Sequence, residues 1–136
     1  MKEASLGTLK KILFFAAFVE MGTGVALMID PAIVVNLLLG VDLSGVAIAI
    51  GRCFGIALLA LGWACWPGGQ PVESGSPAVR AMLLYNVLIA SYLVYLGAAR
   101  DLVGLLLWPA AALHAVVAIA LIWTWRGRWR SNTMSK

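Results

Sequence analysis

The chain has 136 residues, of which 62% are hydrophobic and 12% charged, with a mean hydropathy of +0.96 and a formal net charge of +4. A soluble domain of this size has too much surface for its volume to hide so large an apolar fraction, so the water-soluble classes are excluded and lipid is the solvent that fits. The positive charge does not point to nucleic acid: seven of the ten Lys and Arg lie in the tails, at Lys2, Lys10, Lys11, Arg126, Arg128, Arg130 and Lys136, where basic residues set topology and meet anionic headgroups.

The length is that of one domain, here a single membrane domain over 1–136. A basic start followed by an apolar run has the outline of a signal peptide. The run is too long for an h-region and no small-x-small cleavage site follows, so a retained first helix is expected. No lipidation motif is visible at either end. Helix one is predicted over about residues 9–29, where Asp30-Pro31 stops it, because the residue before proline is pushed out of the α region. Asp30 can then cap a short new helix with Pro31 at its first position. That segment, AIVVNLLL ending at Gly40, is too short to span and is expected at the interface or dipping back towards the bundle.

Helix two is predicted over about residues 43–66, capped by Asp42 or Ser44 and ended by Pro67-Gly68-Gly69. The linker PGGQPVESGSP is the one clearly polar, Gly/Pro/Ser-rich loop. Helix three follows over about residues 78–99, then a tight Arg100-Asp101 turn, then helix four over about residues 102–125, with Trp108-Pro109 as a packing kink near its outer end. The fold class is therefore all-α: a four-transmembrane-helix antiparallel bundle with a short interfacial helix between helices 1 and 2. Four spans put both tails and the linker on one side. That side carries eight basic residues, counting Arg80, against Glu3 and Glu73; the other has Arg100 against Asp30, Asp42 and Asp101. The positive-inside rule makes the basic side cytoplasmic, and Trp63, Trp66, Trp123, Trp125 and Trp129 gather there as an aromatic belt would.

Each span brings a polar residue towards the midplane. Glu20 lies roughly 13 Å beyond Lys11, Arg52 roughly 15 Å beyond Asp42, and His114 roughly 20 Å beyond Asp101, at the helical rise. Asn86 is about eight residues into helix three. Around Glu20 the i±3 and i±4 positions are Ala16, Ala17, Thr23 and Gly24; around His114 they are Ala110, Ala111, Val117 and Ala118. Small residues let membrane helices approach closely, so these are packing faces. The Arg52 face is mixed, with a Gly51/Gly55 GxxxG beside Ile48 and Ile56, and Asn86 rests on depth alone. Intramembrane ionisable residues mark functional sites by default. The competing reading is a buried Glu20–Arg52 ion pair that fixes helix register, with Asn86 and His114 completing its hydrogen bonds.

Glu20, Arg52, Asn86 and His114, joined by Tyr85 and Tyr92 on one face of helix three, are thus the candidate ligand-binding or proton-relay residues. The tyrosines equally suit core or interface positions, where one end is apolar and the other wet. One histidine cannot make a bis-His haem site within a single chain. Glu20 and His114 lack a third metal ligand, and no nucleophile–base pair is evident, so no cofactor, metal or enzymatic activity is expected. Cys53 and Cys65 sit ~18 Å apart along one helix, too far to form a disulfide, and are read as buried free thiols.

Helix two, GRCFGIALLALGWACW from Gly51 to Trp66, has an R-x-x-G-x-x-x-L-x-x-G cadence. It resembles small four-span bacterial inner-membrane proteins of the DoxX-like kind. The E-M-G-T segment at Glu20 looks like the first helix of small multidrug-resistance exporters, where a membrane glutamate binds cation and proton. The rest departs from that second family, whose chains are shorter, and an arginine facing the glutamate opposes a cationic drug. Two functional classes follow. The first is a protein that binds or passes a small amphiphilic molecule or protons at the midplane. The second is a non-catalytic accessory or anchoring subunit of a larger membrane complex. The implied partners are the lipid bilayer, a small amphiphilic ligand, and a membrane-protein partner or a homo-oligomer.

Overall fold

The computed structural model describes residues 2–68, 72, 73 and 75–133. Linker residues 69–71 and 74 lie outside the described residues, as does Lys136. The side chains of Lys2, Glu3, Arg128, Trp129 and Arg130 are likewise not described. Five helices follow in order: α1 (Lys2–Ile29), α2 (Pro31–Leu39), α3 (Val46–Ala64), α4 (Pro77–Ala99) and α5 (Leu107–Thr133). Four of them contain segments long and apolar enough to cross a bilayer, Leu6–Ile29, Val46–Ala64, Pro77–Ala99 and Leu107–Arg126. The protein is a small integral membrane protein, an all-helical bundle with a short helix after the first span.

Local chemistry explains most of the boundaries. Asp30 accepts a hydrogen bond from the Ile33 N–H at 3.1 Å and Pro31 opens α2, while Gly40 closes it at φ 72°, the left-handed geometry glycine adopts most cheaply. Ser76 caps α4 ahead of Pro77 in the same manner. Two expected starts are corrected. The Asp42 carboxylate accepts from the Asn36 amide at 3.1 Å instead of capping a helix, and a second left-handed glycine, Gly45 at φ 60°, delays α3 to Val46. Residues 100–106 likewise run as a longer turn, so α5 starts at Leu107. Pro109 then falls in its first turn, where a missing N–H costs nothing, and no kink need be invoked.

The bundle is built from two antiparallel pairs, α1 with α3 and α4 with α5, and α1 also touches α4, α5 and α2. Glycine sets the first pair's spacing. A Cβ on Gly24 would stand 2.7 Å from the Gly55 carbonyl oxygen, and one on Gly55 would stand 2.7 Å from that of Gly24, so the two backbones meet directly. At the end away from the termini, the Gly104 and Leu106 N–H groups donate to the Leu38 and Leu37 carbonyls at 3.1 and 2.8 Å. This clasp satisfies carbonyls that the end of α2 leaves orphaned, and it ties the second pair to the first.

Two apolar clusters form the core. One, near the termini, joins Leu9, Leu13, Ala16, Ala17, Cys65, Val79, Met82, Val117 and Leu121. The other, near the clasp, joins Leu93, Leu107 and Ala111. On α4 and α5 the residue between the two clusters is polar, Asn86 and His114, and on α1 Glu20 follows the first cluster. The polar layer is a middle storey.

Candidate functional site

Glu20 is 2% exposed and Asn86 1%, and among the described residues they are the buried polar or charged pair. α4 and α5 bring two further groups to them, Tyr85 and His114. His114 Nδ1 lies 2.9 Å from Asn86 Oδ1 and 3.7 Å from Glu20 Oε1. Tyr85, on α4, stands beside the Glu20 carboxyl group, and its ring meets the imidazole edge-on with centroids 5.8 Å apart.

Hydrogen-bond chemistry assigns a proton here. The Asn86 side chain also reaches the Met82 carbonyl, one turn back on α4, at 2.8 Å. A carbonyl only accepts, so the nitrogen of the Asn86 amide must face Met82 and its oxygen must face His114. The imidazole nitrogen opposite that oxygen must then donate: His114 carries its proton on Nδ1 and gives it to Asn86 Oδ1, with Glu20 Oε1 nearby at 3.7 Å, beyond hydrogen-bond length. The other ring nitrogen, Nε2, keeps its lone pair in the neutral ring. Asn86 is therefore a positioning residue that fixes the tautomer.

The space around this cluster is a narrow crevice lined by Phe15, Ala16, Val19, Glu20, Asn86, Leu113, His114 and Val117, with no room for a water molecule. A water needs room and two or more polar partners, so the closed centre is dry. Phe15 is exposed and Val19 and Leu113 half-buried, so the α1 and α5 walls of the crevice extend towards the outer surface of the bundle.

Of the six expected residues, Glu20, Tyr85, Asn86 and His114 come together and Arg52 and Tyr92 do not. Arg52 is exposed and makes no ion pair among the described residues, whose one acid–base contact is Glu20 with His114. Its expected depth fails because α3 begins at Val46, which leaves Arg52 only six residues inside, about 9 Å at the helical rise. Side chains lean towards the helix N-terminus, and a long arginine stem at this position can carry its charge towards the near surface. Tyr92 is exposed and stacks on Tyr95, centroids 6.3 Å apart. Periodicity gives a residue its face but not what faces it. Phe15, Val19 and Leu113 were not singled out in the sequence, where apolar residues beside Glu20 and His114 carry no signal in a chain this hydrophobic.

Cys53 and Cys65 are both free thiols; Cys65 is buried and donates to the Ala78 carbonyl at 3.5 Å, whereas Cys53 is exposed rather than buried as expected. Among the described residues no three His, Cys, Asp or Glu side chains come together. Comparison with known proteins finds no matching family model, no matching curated protein and no matching solved structure.

Proposed function

We propose that the Glu20–His114 centre exchanges protons inside the membrane, alone or in step with a small amphiphilic molecule that reaches it from the bilayer between α1 and α5. One observation carries this reading: a buried carboxyl group whose polar neighbours are an imidazole and a phenol, with no fixed cation against it among the described residues. An arginine partner would hold the carboxylate permanently charged. An imidazole can take up a proton beside the carboxylate and pass it on, and the loaded pair is net neutral in a medium where an isolated charge is costly.

The step balances. A proton arriving at His114 Nε2 makes an imidazolium; the Nδ1 proton passes to Glu20 Oε1, leaving a neutral carboxylic acid and an imidazole protonated on Nε2. The 3.7 Å separation must close by about 0.8 Å for that transfer, to an ordinary N–H···O length. Glu20 Oε1 then releases that proton to water or a guest, and the imidazole exchanges its Nε2 proton for one on Nδ1, the tautomer that Asn86 Oδ1 favours, which resets the relay. Phe15, Val19 and Leu113 are the side chains that must part to admit water or a guest.

We place both termini in the cytoplasm of a bacterial inner membrane, on the positive-inside distribution, and take the DoxX-like cadence from Gly51 to Trp66 as a proposed kinship. Proteoliposomes loaded with a pH-sensitive dye and given an external pH step test the reading. The wild-type chain should equilibrate protons faster than empty liposomes. Glu20→Gln should fall back to the empty rate with its helicity intact, and equal rates for the two proteins would rule the relay out. The accessory-subunit reading draws on α3, which packs chiefly on α1 and leaves Ile50, Phe54, Ile56 and Trp63 exposed. Cross-linking through the exposed Cys53 in native membranes tests it, since a docked subunit should be captured by its partner.

A further inference from the structure

We infer that the end of the bundle bearing the termini holds a specific site for one anionic phospholipid, with its phosphate on Lys10 and Lys11 and an acyl chain along the exposed face of α1. A groove of about 380 Å³ lies there, lined by Gly7, Lys10, Lys11, Phe14 and Pro67. The four α1 residues fall at i, i+3, i+4 and i+7, one helix face, so both ammonium groups and the aromatic floor are presented together. Gly7 opens the groove, for a Cβ there would meet nothing within 4 Å.

The groove is built from both partners at one end of the α1–α3 pair, where α1 begins and α3 stops. The Phe14 ring packs against Trp66 just past α3, with centroids 4.6 Å apart and planes at 57°, and Pro67 follows as the other wall. An aromatic pair of this kind suits headgroup depth. Along α1 the same face continues as Phe18 and Val25, both exposed. That is an apolar track leading from the lysines into the hydrocarbon. Lys10 and Lys11 are exposed and form no ion pair among the described residues, so their charge is free to meet an anion. Two uncompensated ammonium groups at one end and an uncharged apolar track at the other fit the chemistry of a lipid with net negative charge. A soluble anion would leave the track empty, and a zwitterionic lipid would bring its own cation against the lysines.

Competition by native mass spectrometry tests the site. The full chain in neutral detergent receives equimolar phosphatidylglycerol and phosphatidylcholine, and bound adducts are counted. The wild-type protein should favour phosphatidylglycerol. Each juxtamembrane lysine contributes about fivefold to anionic-lipid affinity, so Lys10→Gln/Lys11→Gln should lose up to roughly 25-fold of that preference, while the corresponding double arginine variant keeps it. Gly7→Leu leaves every charge in place and fills the groove; it should lose the adduct as well. Equal wild-type adducts of the two lipids overturn the proposal. So does a Gly7→Leu protein that binds like wild type, because the lysines would then attract anionic lipid without a site. All three altered positions are exposed, and circular dichroism of each variant verifies its helicity.

Discussion

Replacing Asn86 by Leu removes the hydrogen-bond acceptor that holds the His114 proton on Nδ1, and the single histidine of the chain makes the consequence measurable. In the wild type the Asn86–His114 contact of 2.9 Å lies in a dry layer where no water substitutes for it. A net hydrogen bond contributes about 1 kcal/mol, and interhelical bonds in membranes average somewhat less, about 0.6 kcal/mol. Since the Nδ1–H form alone makes this bond, its loss should shift the ratio of the two neutral tautomers by about threefold to fivefold towards Nε2–H. Histidine labelled with ¹⁵N gives one pair of ring signals, whose shifts separate the tautomers; the same signals, followed against pH, show where the ring is neutral. The wild type should be predominantly Nδ1–H and Asn86→Leu visibly mixed. A wild type protonated on Nε2, or an Asn86→Leu spectrum identical to it, refutes the assignment of the amide and with it the reset step of the relay.

Arg52→Gln should leave those histidine signals unmoved and change stability by no more than about 0.5 kcal/mol, as expected for an exposed position away from special features; a shifted His114 spectrum would restore the arginine to the centre. Phe15→Ala should raise the proton-equilibration rate of proteoliposomes several-fold by opening the crevice to the bilayer, and an unchanged rate would mean that Phe15 is no barrier. Gly24→Ala forces a Cβ against the Gly55 carbonyl and should destabilise the bundle by about 1–3 kcal/mol in denaturation from mixed micelles. Gly22→Ala, whose Cβ meets nothing within 4 Å, should be neutral or stabilising by up to about 1 kcal/mol; similar behaviour of the two would contradict the α1–α3 packing. A membrane-permeant maleimide should label Cys53 readily and Cys65 slowly, read as mass addition over time.

The spans were legible because each carries about twenty apolar residues between recognisable stops: Asp30-Pro31, Pro67-Gly68 and Ser76-Pro77. The inward faces of Glu20 and His114 were legible through their small neighbours, and Gly24 proved to be the place where two backbones touch. Arg52 was misread for a reason local to residues 40–45. Two glycines in left-handed geometry stretch that connection and start α3 late, and a depth counted from Asp42 inherits the error. The turn at 100–106 was underestimated in the same way, because its length serves the clasp onto α2, a contact between segments some 65 residues apart that no local pattern announces. Tyr85 and Tyr92 looked equivalent by spacing. They differ because one meets α1 and α5 and the other stacks on Tyr95 at the exposed surface, which is tertiary information.

The three helices that build the polar layer have a consequence for how the protein is made. Glu20 is synthesised 94 residues before His114, an interval of roughly 5–20 s at ordinary elongation rates. Through the first 65 residues of that interval neither the imidazole nor the phenol exists, although α1 can already lie in lipid. The insertion machinery must therefore accept an unpartnered glutamic acid side chain, and α4 and α5 arrive later to complete its surroundings. Biogenesis, as much as activity, acts on the residue at position 20. Arrest of the nascent chain after α3 would expose that interval directly.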